Sequence, residues 1–332
     1  MHPSIPKPAR RQMLAAALLS TLACAAGPAI GQTDYPRKPI RLIVPFAPAG
    51  VADLSARLAA DQLSKRLGQT VVVENRAGAA GNIGTQSVAA AEPDGYTLVL
   101  GHDGPFTINP HIYARQGFDP LKDFVPIGKI GDVPILIVAH PSVQAKDLNS
   151  LVALTKSSAS GLSYGSAGAG STQHLMFELI GQRTGAKLNH VPYKGGAPAL
   201  ADVLGGHIPL AGVALASALD HVKAGRLKAL AISSAQRSRL LPDVPTLPES
   251  GLQLVITSWD GLLAPARTPR AVVDRINSQL NAVLAEPEVR TQLEVLGMIA
   301  APAGTPEAFG DLIARDLARN ADVVKAAKIT AD

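Results

Sequence analysis

Apolar positions along this chain follow two rhythms that take turns. Residues 40–46 form a β-branched run of strand character, and beyond a loop of small residues Leu54, Leu58, Leu63 and Leu67 recur at helical spacing until Gly68 closes the helix. The alternation continues with a strand at 71–74, a helix at 85–91 and a strand at 96–100. This βαβαβ order predicts a parallel sheet with helices on its faces and a ligand site beyond the carboxyl ends of the strands. A second set begins near Ile135. Strands are expected at 135–139, 162–164, 188–192, 208–213 and 227–232, with helices at 197–204 and 217–224. Asp147 caps a helix running to Ser157, and Ser171 caps another that ends at Gly185. From Pro265 onward the pattern turns helical, over 270–285, 288–296 and 305–327, with Pro269, Pro287 and Pro306 near the starts. About 300 residues of this kind exceed one core and favour two α/β lobes, with the last helices returning to the first lobe and the site in the cleft between them.

Two loops stand out at strand-to-helix junctions. Pro45-Phe46-Ala47-Pro48-Ala49-Gly50-Val51-Ala52-Asp53 and Gly165-Ser166-Ala167-Gly168-Ala169-Gly170-Ser171-Thr172 are poor in side chains. A strand that ends in such a loop and re-enters as a helix presents unpaired backbone N–H groups and the positive end of the helix dipole, which is an anion cradle. Pro192-Tyr193-Lys194-Gly195-Gly196 is either a third cradle facing the same cleft or only a turn. Neither principal loop contains arginine, so a carboxylate held there would rest on N–H groups, hydroxyls and water.

The amino terminus changes the expected compartment. Lys7, Arg10 and Arg11 precede an apolar stretch over 13–26, and Ala29-Ile30-Gly31 fits a cleavage site before Gln32. The apolar run is shorter than the roughly 20 residues of a bilayer span, so residues 1–31 read as an export signal and the protein as periplasmic. Arg10-Arg11-Gln12-Met13-Leu14 also resembles a twin-arginine motif, which leaves two export routes open. The chain's one cysteine, Cys24, falls in this segment, and the mature protein would have no disulfide. Removing 1–31 takes away three basic and no acidic residues, lowering the formal net charge from +5 to +2. With basic residues scattered and aromatic residues at 4%, no nucleic-acid partner is indicated.

Catalytic frameworks are missing. There is no G-x-S-x-G, no G-x-x-x-x-G-K-[ST], no complete G-x-G-x-x-G and no H-E-x-x-H, and no cofactor or metal is expected. His174 and Glu178 are four residues apart, which suits a helix-surface pair better than a metal site. Asp53 opens a helix, where it either caps amides or meets a ligand. Ser171 and Thr172 can do the same.

At these residues the chain resembles the substrate-binding proteins of tripartite tricarboxylate transporters, the Bug family. The resemblance is carried by Val44-Pro45-Phe46-Ala47-Pro48-Ala49-Gly50 with Asp53, Val73-Glu74-Asn75-Arg76, Gly81-Asn82-Ile83-Gly84, Pro93-Asp94-Gly95-Tyr96-Thr97-Leu98, Ser166-Ala167-Gly168 with Gly170-Ser171, and Val191-Pro192-Tyr193-Lys194-Gly195. It continues through His221-Val222-Lys223-Ala224-Gly225, Leu241-Pro242-Asp243-Val244-Pro245-Thr246 and Trp259 with Gly261-Leu262-Leu263-Ala264-Pro265, so that it spans nearly the whole mature chain. It implies a two-lobed periplasmic-binding-protein-like α/β fold, each lobe a mostly parallel sheet flanked by helices. Lobe 1 would take 32–131 plus 259–332 and lobe 2 would take 132–258. It further implies a monomeric carrier, without enzyme activity, that closes on a small carboxylate and passes it to membrane permease subunits. A periplasmic sensor using the same cleft is the alternative, and a secreted α/β hydrolase is a more distant one. The ligand contacts so implied are Phe46, Pro48, Ala49, Ala52 and Asp53 in the first loop, Ser166, Ala167, Gly170, Ser171, Thr172 and His174 in the second, Asp103, Gly104 and Phe106 after the third strand, and Tyr193 and Gly195.

Four positions depart from the family pattern. Ala49 and Ala80 replace glycines, Ala77 replaces a proline, and Asn320 stands where an aromatic residue is common. If position 49 needs a positive φ, its Cβ is strained there. His102-Asp103 is also unusual, and a carboxylate at the pocket rim would select a ligand bearing an amine or a ring nitrogen.

Overall fold

A computed structural model describes residues 35–193 and 195–330. The expected export signal, with Cys24, and Lys194 lie outside the described residues. β1 (Ile40–Val44) runs through the first loop into α1 (Val51–Leu67), which stops at Gly68, a left-handed residue whose amide bonds Ser64 O. β2 (Val71–Asn75), α2 (Asn82–Ala89) and β3 (Thr97–His102) follow, and β1 lies between β2 and β3, parallel to both. A π-helical turn at Gly104–Ile108 and the one-turn α3 (Asn109–Ile112) lead to β4 (Phe124–Ala139), a strand of 16 residues.

The next elements are α4 (Leu148–Ser157), β5 (Leu162–Ser166), α5 (Thr172–Thr184), β6 (Leu188–Pro192), α6 (Gly196–Leu204), β7 (Leu210–Ala214), α7 (Leu215–Lys223) and β8 (Lys228–Ile232). Asp147 caps α4 in a reciprocal box with Ser150, and Ser171 caps α5. The chain then crosses back in β9 (Thr257–Pro265) and ends in α8 (Arg270–Ala285), α9 (Pro287–Val295), β10 (Ile299–Ala300) and α10 (Pro306–Ala327).

Strands run in the order β2-β1-β3-β9-β4-β7-β5-β6, with β8 and β10 also on β4. The outer strands pair in parallel, as expected: β1 with β2 and β3, and β5 with β6 and β7. The antiparallel pairs, which the sequence pattern did not predict, all involve β4 or β9. β4 does two jobs: from Phe124 to Pro134 it pairs with β9, and from Ile135 to Ala139 it pairs with β7 and β8. Its first half is hard to see in the sequence because Pro126, Gly128, Gly131 and Pro134 all weaken strand propensity, and two register shifts accommodate them.

Three cores result. One packs Ile43, Val99, Phe106, Phe124, Trp259, Leu263 and Phe309. The others lie on the two faces of the second sheet, around Phe177 and around Val203. α10 joins two of them. Phe309 and Ile313 belong to the first core and Val323 and Val324 to the second, one stripe along a 22-residue helix. The carboxyl-terminal end of this helix therefore packs against the second core. Lys38–Asp332 is one compact unit.

Candidate functional site

Both cradles sit where parallel strands end, but they are built differently. α1 has no side-chain cap; its N-cap is Gly50, and no side chain satisfies the amides of the first turn. Asp53 bends back to hold the loop from inside. Its Oδ2 accepts from the Ala49 amide (2.9 Å) and Arg57 Nε (2.9 Å), and its Oδ1 accepts from Asn75 Nδ2 (2.8 Å), which also donates to Phe46 O (3.1 Å). Burial pushes the Asp53 carboxyl up, yet these hydrogen bonds and the Arg57 charge outweigh it and hold the group below the usual range. With a carboxylate this buried, Asp53 ties Ala49, Arg57 and Asn75 together beneath the loop.

Ala49 has φ 68, so the position does require the left-handed region and carries a Cβ there. Ala49→Gly removes strain of about 1–2 kcal/mol against about 0.5–1 kcal/mol of added chain entropy. The expected outcome is a gain of about 0.5–1 kcal/mol in urea unfolding; a loss of stability would show that the Cβ is accommodated without strain. Ala80, the other alanine in place of a glycine, also lies at positive φ, at 50.

In the second loop Ser166 is fully buried. Its hydroxyl lies 2.6 Å from His190 Nε2 and accepts from the Gly168 amide at 3.0 Å. Ser171 Oγ accepts from the His174 amide, and His174 Nδ1 accepts from the Gly170 amide at 3.2 Å. The rings of His174 and His190 stack at 3.6 Å and 17°. Burial pushes both imidazoles down to about 4, so both are neutral near pH 7 and His174 Nδ1 keeps its lone pair for Gly170. The amides of Ala169, Thr172 and Gln173 have no acceptor among the described residues. Ala167 is tied to the third turn, its carbonyl accepting from the Gly195 amide at 3.2 Å. The N-cap of α6 is Gly195, again with no side-chain cap.

Asp103 and Thr172 tie the turn after β3 to the second cradle. Thr172 Oγ1 donates to Asp103 Oδ2 and accepts from Ser258 Oγ at 3.1 Å. Asp103 Oδ1 lies 2.8 Å from His102 Nδ1, and the residue is 3% exposed. Asp103 is therefore buried between the His102 ring and Thr172, which corrects the expectation that this carboxylate stands at the pocket rim. Phe106 also needs correction. It is 0% exposed and packs on Phe118, Phe124 and Trp259, so its ring belongs to the core and only its neighbour Gly104 is partly accessible. Phe46 is half-buried, edge-on to the His102 ring at 4.9 Å. Pro48 and Ala52 lie at the mouth of the first loop, exposed and half-buried respectively. Tyr193 is half-buried with its hydroxyl donating to Asp202 at 2.6 Å.

Sequence reasoning missed His190, Arg57, Ser258 and Asp260. Asn75 stood inside a quoted motif without a role, and its two hydrogen bonds now supply one. Asn320 is explained as well: it is buried and donates to Thr107 O and Oγ1, tying α10 to the turn after β3. A cavity of about 510 Å³ lies against β4, β9 and α10 and is lined by none of the cradle residues. Its acids Asp132 and Asp316 are paired with Lys129 (2.7 Å) and Arg319 (3.0 Å). Among the described residues no group of three or more His, Cys, Asp or Glu side chains could hold a metal ion.

The chain is similar in sequence and fold to known proteins. The sequence model of the tripartite tricarboxylate transporter family receptor, TctC, matches residues 55–329. Protein BugT of Bordetella pertussis is 37% identical over 298 residues, covering 89% of this chain and 91% of its own. Among solved structures, a Rhodopseudomonas palustris protein with adipate superposes with a TM-score of 0.78 at 33% identity, covering 89% of this chain and 99% of its own. MatC from the same organism, with bound malate, gives 0.73 at 31% identity over 87% of this chain and all of its own. The periplasmic binding protein BugD gives 0.73 at 36% identity, covering 89% of this chain and 99% of its own. These neighbours are two-lobed periplasmic solute-binding proteins, and the chain belongs to their family, the tripartite tricarboxylate transporter receptors that include the Bug proteins.

Proposed function

We propose that this protein captures a small organic-acid anion between its two lobes in the periplasm and delivers it to the permease subunits of a tripartite tricarboxylate-type transporter. The observation that carries the reading is the pair of side-chain-poor cradles. The uncapped amides of α1 and the unpartnered amides of Ala169, Thr172 and Gln173 stand at the ends of β1 and β5, and the turn after β3 reaches both loops, His102 touching Phe46 of the first and Asp103 bonding Thr172 of the second. The carboxylate rests on these amides with Pro48, Ala49, Ala52 and Gly170 around it, and the Tyr193–Gly195 turn closes the side. Relatives of the same family were solved with adipate and with malate, which supports a carboxylate.

The lobe division is 32–131 plus 259–332 against 132–258, and the pairing change within β4 at Pro134–Ile135 supports it. Ligand that touches both lobes favours the closed state by its differential affinity, and the closed form is what the permease reads. Residues 1–31 direct export, and the carrier works as a monomer without chemistry of its own.

The test is the melting temperature of the processed protein against mono-, di- and tricarboxylates, aromatic acids and amino acids. A ligand at 100 times its dissociation constant adds about 2.7 kcal/mol and raises the melting temperature by several degrees. No shift with any acid, after refolding to strip carried-over ligand, overturns the reading.

A further inference from the structure

The cradles contain no arginine, yet a cation stands beside them. His102 ends β3, its ring edge-on to Phe46 of the first cradle, and the next residue, Asp103, is hydrogen-bonded to Thr172 of the second. Two groups compete for His102 Nδ1. The Gly104 amide lies 3.3 Å away and would need a lone pair there, while Asp103 Oδ1 lies 2.8 Å away and needs a proton. The carboxylate is closer and charged, so it sets the protonation. Its contact is one of charge, since Asp103 Oδ1 accepts no well-aligned hydrogen bond. Directly across the ladder from His102, Asp260 of β9 is completely buried and accepts from Ser55 Oγ at 2.6 Å. Burial opposes charge on the imidazole, but the carboxylates of Asp103 and Asp260 outweigh it and push the group up to about 9. The other ring nitrogen, Nε2, has no hydrogen-bond partner among the described residues, and the side chain keeps 23% of its surface exposed.

We infer that His102 is a specificity-determining residue: its Nε2–H donates, from an imidazolium, to a second anionic group of the ligand, and so selects dicarboxylates over monocarboxylates of the same length. The inference rests on the carboxylate reading above. Asp103 then orients the ring and keeps it charged while its other oxygen holds Thr172 of the second cradle. The first carboxylate of the ligand takes the backbone amides, and the second takes the His102 imidazolium.

Calorimetric titration of the wild type, His102→Gln and His102→Lys with adipate and with its monoamide tests this. Gln keeps a neutral donor and Lys keeps the charge. The expected result is an affinity of His102→Gln for adipate lowered about tenfold, with the monoamide unchanged and with Lys restoring part of the loss. Wild-type affinity for adipate should also weaken as pH rises past about 9, where the imidazolium is lost, and the Gln variant should lack that step. The charged or titratable groups facing the ring are Asp103, the next residue in the chain, and Asp260 on β9, and a step that persists in His102→Gln overturns its assignment to the imidazolium. Equal losses for the diacid and the monoamide, or no loss, overturn the inference while leaving the carboxylate reading intact. Failure of the wild type to bind any acid overturns both. Should Gln impair folding, the wild-type ratio of adipate to monoamide affinity decides by itself: a ratio near one at pH 7 overturns the inference.

Discussion

Replacement of Trp259 by alanine is expected to destabilise the fold by about 3–5 kcal/mol, a large share of the total stability of a protein this size. The indole is 1% exposed. It packs edge-on to Phe309 at 5.2 Å and beside Phe106 at 6.3 Å, and its Nε1 donates to Asp316 at 3.3 Å. Truncation removes the packing of the first core and takes a donor from a carboxyl that burial already pushes up. Because Phe309 and Asp316 both lie on α10, which packs on both sheets, the loss reaches the second sheet as well. Urea unfolding monitored by circular dichroism gives the number. A loss under about 1 kcal/mol would mean that the aromatic cluster collapses into the vacated space, which dense cores rarely allow.

Gly170→Val should abolish ligand binding while leaving most of the fold. Gly170 has φ 71, and a Cβ there would run into Ile112 Cδ1. A β-branched residue in the left-handed region costs about 2 kcal/mol, which the loop can relieve by turning away. The turn, however, is what aims the amides of Ala169 and Thr172, and it places the Gly170 amide on His174 Nδ1. Losing two amide bonds to a charged carboxylate lowers affinity by about a hundredfold or more. The thermal shift with the best acid should vanish, with the far-ultraviolet spectrum unchanged. An undiminished shift would place the ligand away from this loop and sink the two-cradle site.

These two substitutions also show what could be read from the chain and what could not. Strand, loop and helix around each cradle were legible because each is a local event. An apolar run, a side-chain-poor loop and a helical repeat closed by Gly68 or Gly185 fall within a few residues of one another. The caps at Asp147 and Ser171 were legible for the same reason. The roles of individual site residues were less so. Asp53 read equally as a cap or a ligand contact until Arg57 and Asn75 were seen to converge on it. Phe106 read as a pocket wall because a loop aromatic beside a site gives no sign of which way it faces.

By itself the sequence determined the α/β order, the two cradles and the absence of catalytic frameworks, since these depend on residue type and short-range spacing. Tertiary structure alone decided the rest. β9 and the first half of β4 came from long-range antiparallel pairing, where partner strands override the weak propensity of a segment rich in Pro and Gly. The His174–His190 stack joins residues 16 apart in number by setting α5 against β6, and the His102–Asp260 pair depends on β3 meeting β9. The protonation of these histidines is set in the same way: neutral where burial is unopposed, pushed up where the Asp103 carboxylate lies against the ring, while burial pushes the neighbouring Asp260 carboxyl up. Their surroundings are made by chain segments that the sequence keeps far apart, and electrostatics acts through space.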